Sequence, residues 1–248
     1  MAKRSHKKVV FFKNRIPPQL ENDIDAVVEE SAKDNKEKAT AFCKIKGKDR
    51  LFTGSYSRGE WGSVEVKPCE RRFGNSTKVG DLHTHVVSED VVGLTPSDND
   101  VLINLEGSAD TGVRQVSCIA NNESKMIHCF QAREIPSSQK LRDYHKALER
   151  VFRTGYQTDP FLSNNVYKDF AHAWYDRKTK IKIPRPTAKN LVRAAIGKST
   201  KNLRYHIADL DKGEFCDIIQ DYNAPDRNDV GIACRKELKR RKILGIEL

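Results

Sequence analysis

The 248-residue chain has no apolar run of about eighteen residues, so no segment is expected to span a membrane. None of its six cysteines, Cys43, Cys69, Cys118, Cys129, Cys216 and Cys234, forms a CxxC pair. That excludes a zinc knuckle and argues against a disulfide frame, so reduced and mostly buried thiols are expected. The basic start MAKRSHKKVVFFKNRIPPQL contains only VVFF as an apolar stretch. This is too short for a signal-peptide core, and the expected location is cytoplasmic. No P-loop, zinc-finger spacing or RNA-recognition signature is present, and there is no internal repeat.

Acid is scarce in the second half. Between Arg177 and His206 there are ten basic residues and no acidic one. After Ile135, 24 lysines and arginines face 14 acidic residues, which accounts for most of the net charge of +11. Such a field attracts nucleic acid, acidic protein surfaces or anionic lipid heads; the plain alternative is a solvated basic face.

Residues 1–18 read as a basic N-terminal tail. Pro17-Pro18 marks a turn into a helix over 19–36, with Leu20, Ile24, Val27, Val28 and Ala32 on one face. Strands are expected at 39–45, 50–55, 63–66, 78–85, 112–120 and 125–132. A helix is expected over 97–106, with Pro96 at its start. Together these predict an α/β (α+β) domain over 19–135, a mixed sheet flanked by helices. Pro136-Ser137-Ser138 marks a boundary to a basic, mainly helical region, 136–248. There the expected helices run from Leu141 to Phe152, Val166 to Tyr175, Ala188 to Ile196 and Arg235 to Lys242. Tyr205, Tyr175 and Trp174 lie beside the basic run, either to stack on bases or to pack a small helical core.

The stretch GDLHTHVVSEDVVGLTPSDND, Gly80 to Asp100, carries the chemistry. Side chains alternate along a strand, so His83 and His85 point the same way. Two imidazoles with a nearby carboxylate suit a divalent metal, and three protein ligands with one open position is the catalytic arrangement. Asp100, in the first turn of the following helix, is the best third ligand once the loop from Val86 to Pro96 folds back. Ser97-x-x-Asp100 is also a capping-box pattern with Asp for Glu, and one acid can serve both purposes.

The order of a glutamate, then VGDLHTH, then TPSDND resembles the JAMM/MPN+ (JAB domain) zinc metalloprotease family. That pattern is an upstream Glu at the start of a strand, then His-x-His-Pro, then Ser-x-x-Asp. The resemblance covers 19–135, roughly half the chain. It implies that His83, His85 and Asp100 bind Zn2+, and that Ser97 helps to hold the oxyanion. It implies an upstream acid that takes a proton from a zinc-activated water and passes it to the leaving amine. Glu37, in KEKATAFCKIKG, follows a helix and precedes an apolar strand, as the pattern requires. Glu29, Glu30, Glu60, Glu65 and Glu70 are also upstream. The first two fall inside the predicted helix, and the last three come later than the family order. Two departures stand: Val86 replaces the proline after the second histidine, and the spacing from His85 to Ser97 is longer than usual. The implied activity is hydrolysis of a peptide or isopeptide bond in a protein substrate, including one conjugated to a ubiquitin-like modifier.

Two other readings compete. DLHTH followed by Ser-Glu-Asp also resembles the first motif of PHP-type metal phosphoesterases, which hold two or three metals through further histidine motifs. No Asp-His pair follows here, and His128, in KMIHCFQA, reads as a core or edge residue. His6, His172 and His206 are also expected to be structural. A third reading is an MPN interaction module associated with nucleic acid or an acidic partner through 177–206.

Overall fold

The computed structural model describes residues 12–48, 50–60, 63–69, 76–86, 96, 98–121, 125–153, 170–184 and 187; within these, the side chains of 98 and 147–153 are not described. The elements are α1 (Pro18–Asp34), β1 (Lys38–Ile45), β2 (Leu51–Thr53), β3 (Ser57–Arg58), β4 (Ser76–Thr84), α2 (Asp98–Thr111), β5 (Val116–Ala120), β6 (Met126–Ala132), α3 (Ser138–Arg153), β7 (Phe170–Asp176) and β8 (Lys182–Ile183). Among the described residues they form α1, one eight-stranded mixed sheet, and α2 with α3. The strand order is β2-β1-β4-β5-β6-β7-β8, with β3 also on β1. β4 and β5 are parallel, and the other pairs are antiparallel. A parallel pair needs a crossover, and α2 lies within this one.

The two faces of the sheet differ in chemistry. Leu20, Ile24, Val27 and Val28 of α1 pack with Phe42, Leu82, Val116, Cys118, Ile127, Cys129, Ala173 and Tyr175. This is the apolar core, and the period-2 alternation of the strands supplies it. Next-door residues face the other way: His83 pairs in register with Ile119, Ile119 with His128, and His128 with Trp174. On that side Asn104 of α2 donates to Ser117 Oγ at 2.9 Å and to the Gln115 carbonyl at 3.1 Å. Ser108, one turn on, accepts from the Gln115 amide at 3.0 Å. The helix is docked on the start of β5 by polar groups one turn apart.

Several expectations are corrected. The segment expected as a helix through Val166 to Tyr175 is strand β7 over Phe170–Asp176, with Val166 outside the described residues. FAHAWYD alternates with period 2 and finds a full-length partner in β6, which outweighs a three-residue helical spacing. The sheet thus continues across the boundary expected at 135/136. No strand forms over 63–66; Ser63 makes a single bridge to Glu60. The tail expected over 1–18 is docked in its described part. Phe12 and Ile16 are buried, and the Ile16 amide donates to the Lys180 carbonyl at 3.0 Å. The expected helices at 188–196 and 235–242 lie outside the described residues.

The expectation of reduced thiols is also corrected. Cys43 is bonded to Cys69, and Cys118 to Cys129. Cys118 and Cys129 sit opposite each other on β5 and β6, with Cα atoms 4.0 Å apart, a proximity that only strand pairing creates. Cys216 and Cys234 lie outside the described residues. Among the described residues, no helix is long and apolar enough to cross a membrane.

Candidate metal centre

The site forms at the carboxyl end of β4, where the chain leaves the parallel pair; ligand sites in open α/β sheets favour this position. His83 and His85 project from one face, and the first turn of α2 carries Asp100 to them. Asp100 Oδ1 lies 3.2 Å from His83 Nε2 and Oδ2 lies 3.2 Å from His85 Nε2. The two Nε2 atoms are 3.1 Å apart. One donor atom from each of the three residues falls within a 4.8 Å group. Tetrahedral zinc with bonds of about 2.0–2.1 Å places its ligand atoms about 3.3 Å from one another. The imidazole separation is close to that edge, each imidazole lies near one oxygen of the Asp100 carboxylate, and a His-His-Asp set is a recognised zinc ligand chemistry. The residues therefore fit a divalent metal.

Charges in this cluster are coupled. Burial pushes Asp100 up, but the two imidazoles outweigh it and hold the carboxyl well below its usual range. Burial works against a charged His83, yet Asp100 at hydrogen-bond distance, helped by Asp81 and Glu37, lifts it to about 9. A cation is favoured between these groups, and a proton on His83 meets that preference in the metal-free protein.

Glu37 stands one residue before β1. The register pairs Ala39 with His83 and Ala41 with Asp81, so the alternation places Glu37 on the histidine face. Its residue is 8% exposed. Burial raises its pKa, and the pull of His85 and His83 only partly offsets this. The competing acids are placed elsewhere: Glu30 pairs with Lys33 on α1, Glu60 is 78% exposed and pairs with Lys36, and Glu65 is exposed. Among the described residues Glu37 is the only buried glutamate. The structure thus brings together His83, His85, Asp100 and Glu37. Ser97 and Glu70 lie outside the described residues.

His128, read from the sequence as a core or edge residue, is a core residue, and one neighbouring residue, Thr84, escaped that reading. His128 is fully buried beside the site. It stacks on Trp174 at 3.9 Å between ring centroids, and its Nε2 lies 3.1 Å from His172 Nδ1. Burial, then His172 and His85, hold its pKa well below the usual value, so it is a neutral packing residue. Trp174 and Tyr175 are buried in the sheet and are not available to stack on bases. Thr84, between the two histidines, is the residue that was missed; its position in the HTH triplet was the signal.

No protein-family model matches the chain, and no curated protein matches it significantly.

Proposed function

We propose that the chain is a zinc-dependent metallopeptidase of the JAMM type that hydrolyses a peptide or isopeptide bond. The substrate class this reading implies is a protein, including one that carries a ubiquitin-like modifier. One observation carries the proposal: a buried glutamate shares a sheet face with a convergent His-His-Asp donor set. His83, His85 and Asp100 would hold the metal, and a zinc ion bound there would supply a Lewis acid and lower the pKa of a water. Glu37 is the base that accepts the proton from the attacking water and delivers it to the leaving amine. Its raised pKa brings the carboxylate closer to the working pH, as proton transfer in both directions requires. Ser97 is assigned to the oxyanion.

The phosphoesterase alternative requires two or three metals. The described residues contain one three-ligand group, which favours the single-metal reading. Elemental mass spectrometry of the purified protein, beside Asp100→Ala, tests the proposal. About one zinc per chain, lost in the variant, together with cleavage of an isopeptide panel, is the expected result. Two or three metals per chain would move the assignment to the phosphoesterases. No metal after zinc is supplied would leave an interaction module.

A further inference from the structure

The backbone around Glu37 is held by a chain of side-chain hydroxyls on the opposite face of the sheet. The Lys38 amide donates to Thr84 Oγ1 at 2.9 Å. Thr84 donates to Ser31 Oγ of α1 at 3.0 Å, and Ser31 donates to the Lys36 carbonyl at 2.8 Å. The chain therefore begins on the peptide group that follows Glu37 and ends on the peptide group that precedes it. Glu37's own amide donates to the Glu60 carbonyl at 3.2 Å, and its carbonyl accepts from the Gly59 amide at 2.8 Å. All four polar backbone groups of the two peptides flanking this Cα have a partner.

Thr84 is 0% exposed and Ser31 5%, so neither hydroxyl competes openly with water. Lys38 lies just beyond the last registered pair of β1 and β4, Ala39 with His83, and the Thr84 side chain takes up its amide there. Thr84 also separates the two metal-ligating histidines in sequence. One hydroxyl thus ties the strand that aims the base to the strand end that carries two ligands.

We propose that Thr84 and Ser31 are positioning residues that fix the direction of Glu37 toward the metal centre. This rests on the peptidase reading above and deepens it. The two residues touch no reacting atom; they set φ and ψ at Glu37 from the far face of the sheet. Catalysis is sensitive to such placement, and a shift of about 1 Å can cost about 100-fold in rate.

The test compares Thr84→Val, which keeps the shape and removes the hydroxyl, with Thr84→Ser, which restores it, and with Ser31→Ala. Three quantities are read in the full chain: zinc per chain, amide hydrogen exchange at Glu37 and Lys38, and kcat and KM on an isopeptide substrate. Thr84→Val is expected to keep one zinc and an unchanged KM, to lose about 10- to 100-fold in kcat, and to speed exchange at Lys38. Thr84→Ser should restore both. In a Glu37→Gln background, Thr84→Val should cost less than about twofold more, because the group it positions is already gone. Unchanged exchange, failure of the serine to rescue, or an equal loss in both backgrounds would overturn the proposal. If Thr84→Val does not fold, Ser31→Ala carries the same comparison at a helical position that favours alanine. If the wild type cleaves no substrate, the peptidase reading fails, while exchange and zinc content still decide whether the hydroxyl chain holds the Glu37 backbone.

Discussion

At the scale of single residues, the proposed metal centre and its proposed base make separable predictions. Glu37→Gln should keep zinc and lower turnover by at least about 100-fold, the range of a lost general base. His83→Ala and Asp100→Ala should lose zinc and turnover together. Elemental analysis beside steady-state kinetics distinguishes these outcomes. Glu37 also has a stability signature in the metal-free protein. Its folded pKa is raised, so the native state binds more protons than the unfolded state as Glu37 titrates. Stability is then full below the unfolded carboxyl value and falls as pH rises through the folded one. Glu37→Gln should therefore raise the apo Tm near neutrality and flatten this part of the profile. His83 has the same sign with a different window: its contribution is complete below about pH 6.5 and is lost as pH rises through about 9. Thermal melts of chelator-treated protein between pH 4 and 10 would resolve the two.

At the scale of elements, the site depends on how α2 and β4 are held. Asn104 lies one turn beyond Asp100, is 1% exposed, and bonds to β5. Asn104→Ala should destabilise by about 1–3 kcal/mol and weaken zinc affinity, since Asp100 rides on the same helix. Calorimetry with a zinc titration checks both. Gly80 is demanded by a close backbone approach across the parallel β4–β5 pair. A Cβ there would lie 2.1 Å from the Val116 carbonyl oxygen, which no rotamer can relieve. Gly80→Ala should cost about 3 kcal/mol and shift the strand end that carries both histidines, measurable as a lower Tm and loss of zinc. The order helix, strand, HxH strand, helix with an acid in its first turn was legible because each element is short and carries its own pattern. β7 was not legible as a strand. Phe170 and Trp174 satisfy a helical spacing as well as an alternation, and the unpaired edge of β6 decides between them.

At the scale of the whole molecule, the crosslinks and the charge remain. The Cys43–Cys69 bond closes a 26-residue separation that contains β2 and β3, and β3 pairs with β1 at Lys38, the residue after Glu37. Disulfides are uncommon in the reducing cytosol of mesophiles, so these bonds bear on the compartment expected from the sequence. Mass mapping of non-reduced peptides should show both bonds. Reduction should lower stability by about 2–4 kcal/mol per bond. The basic run from 177 is partly used internally. Arg177 donates to the Asn121 carbonyl at 3.0 Å, and the buried Lys180 pairs with Asp25 of α1 at 2.5 Å. Binding of DNA or RNA through the rest should fall steeply with salt; no binding at low salt would leave an acidic protein surface as the partner class.

The sequence by itself determined the candidate ligand types and their strand-and-helix setting, because alternation and helix starts are local rules. It also narrowed the proposed base to Glu37 by its place between a helix and an apolar strand. Only the tertiary structure decided which glutamate is buried, because the burial depends on β1 lying against β4. It alone also showed that Cys118 faces Cys129, that β7 joins the sheet, and that a threonine between two histidines reaches both sides of Glu37 through the far face. These last features are contacts between residues from 5 to 53 positions apart, and no local pattern encodes such distances.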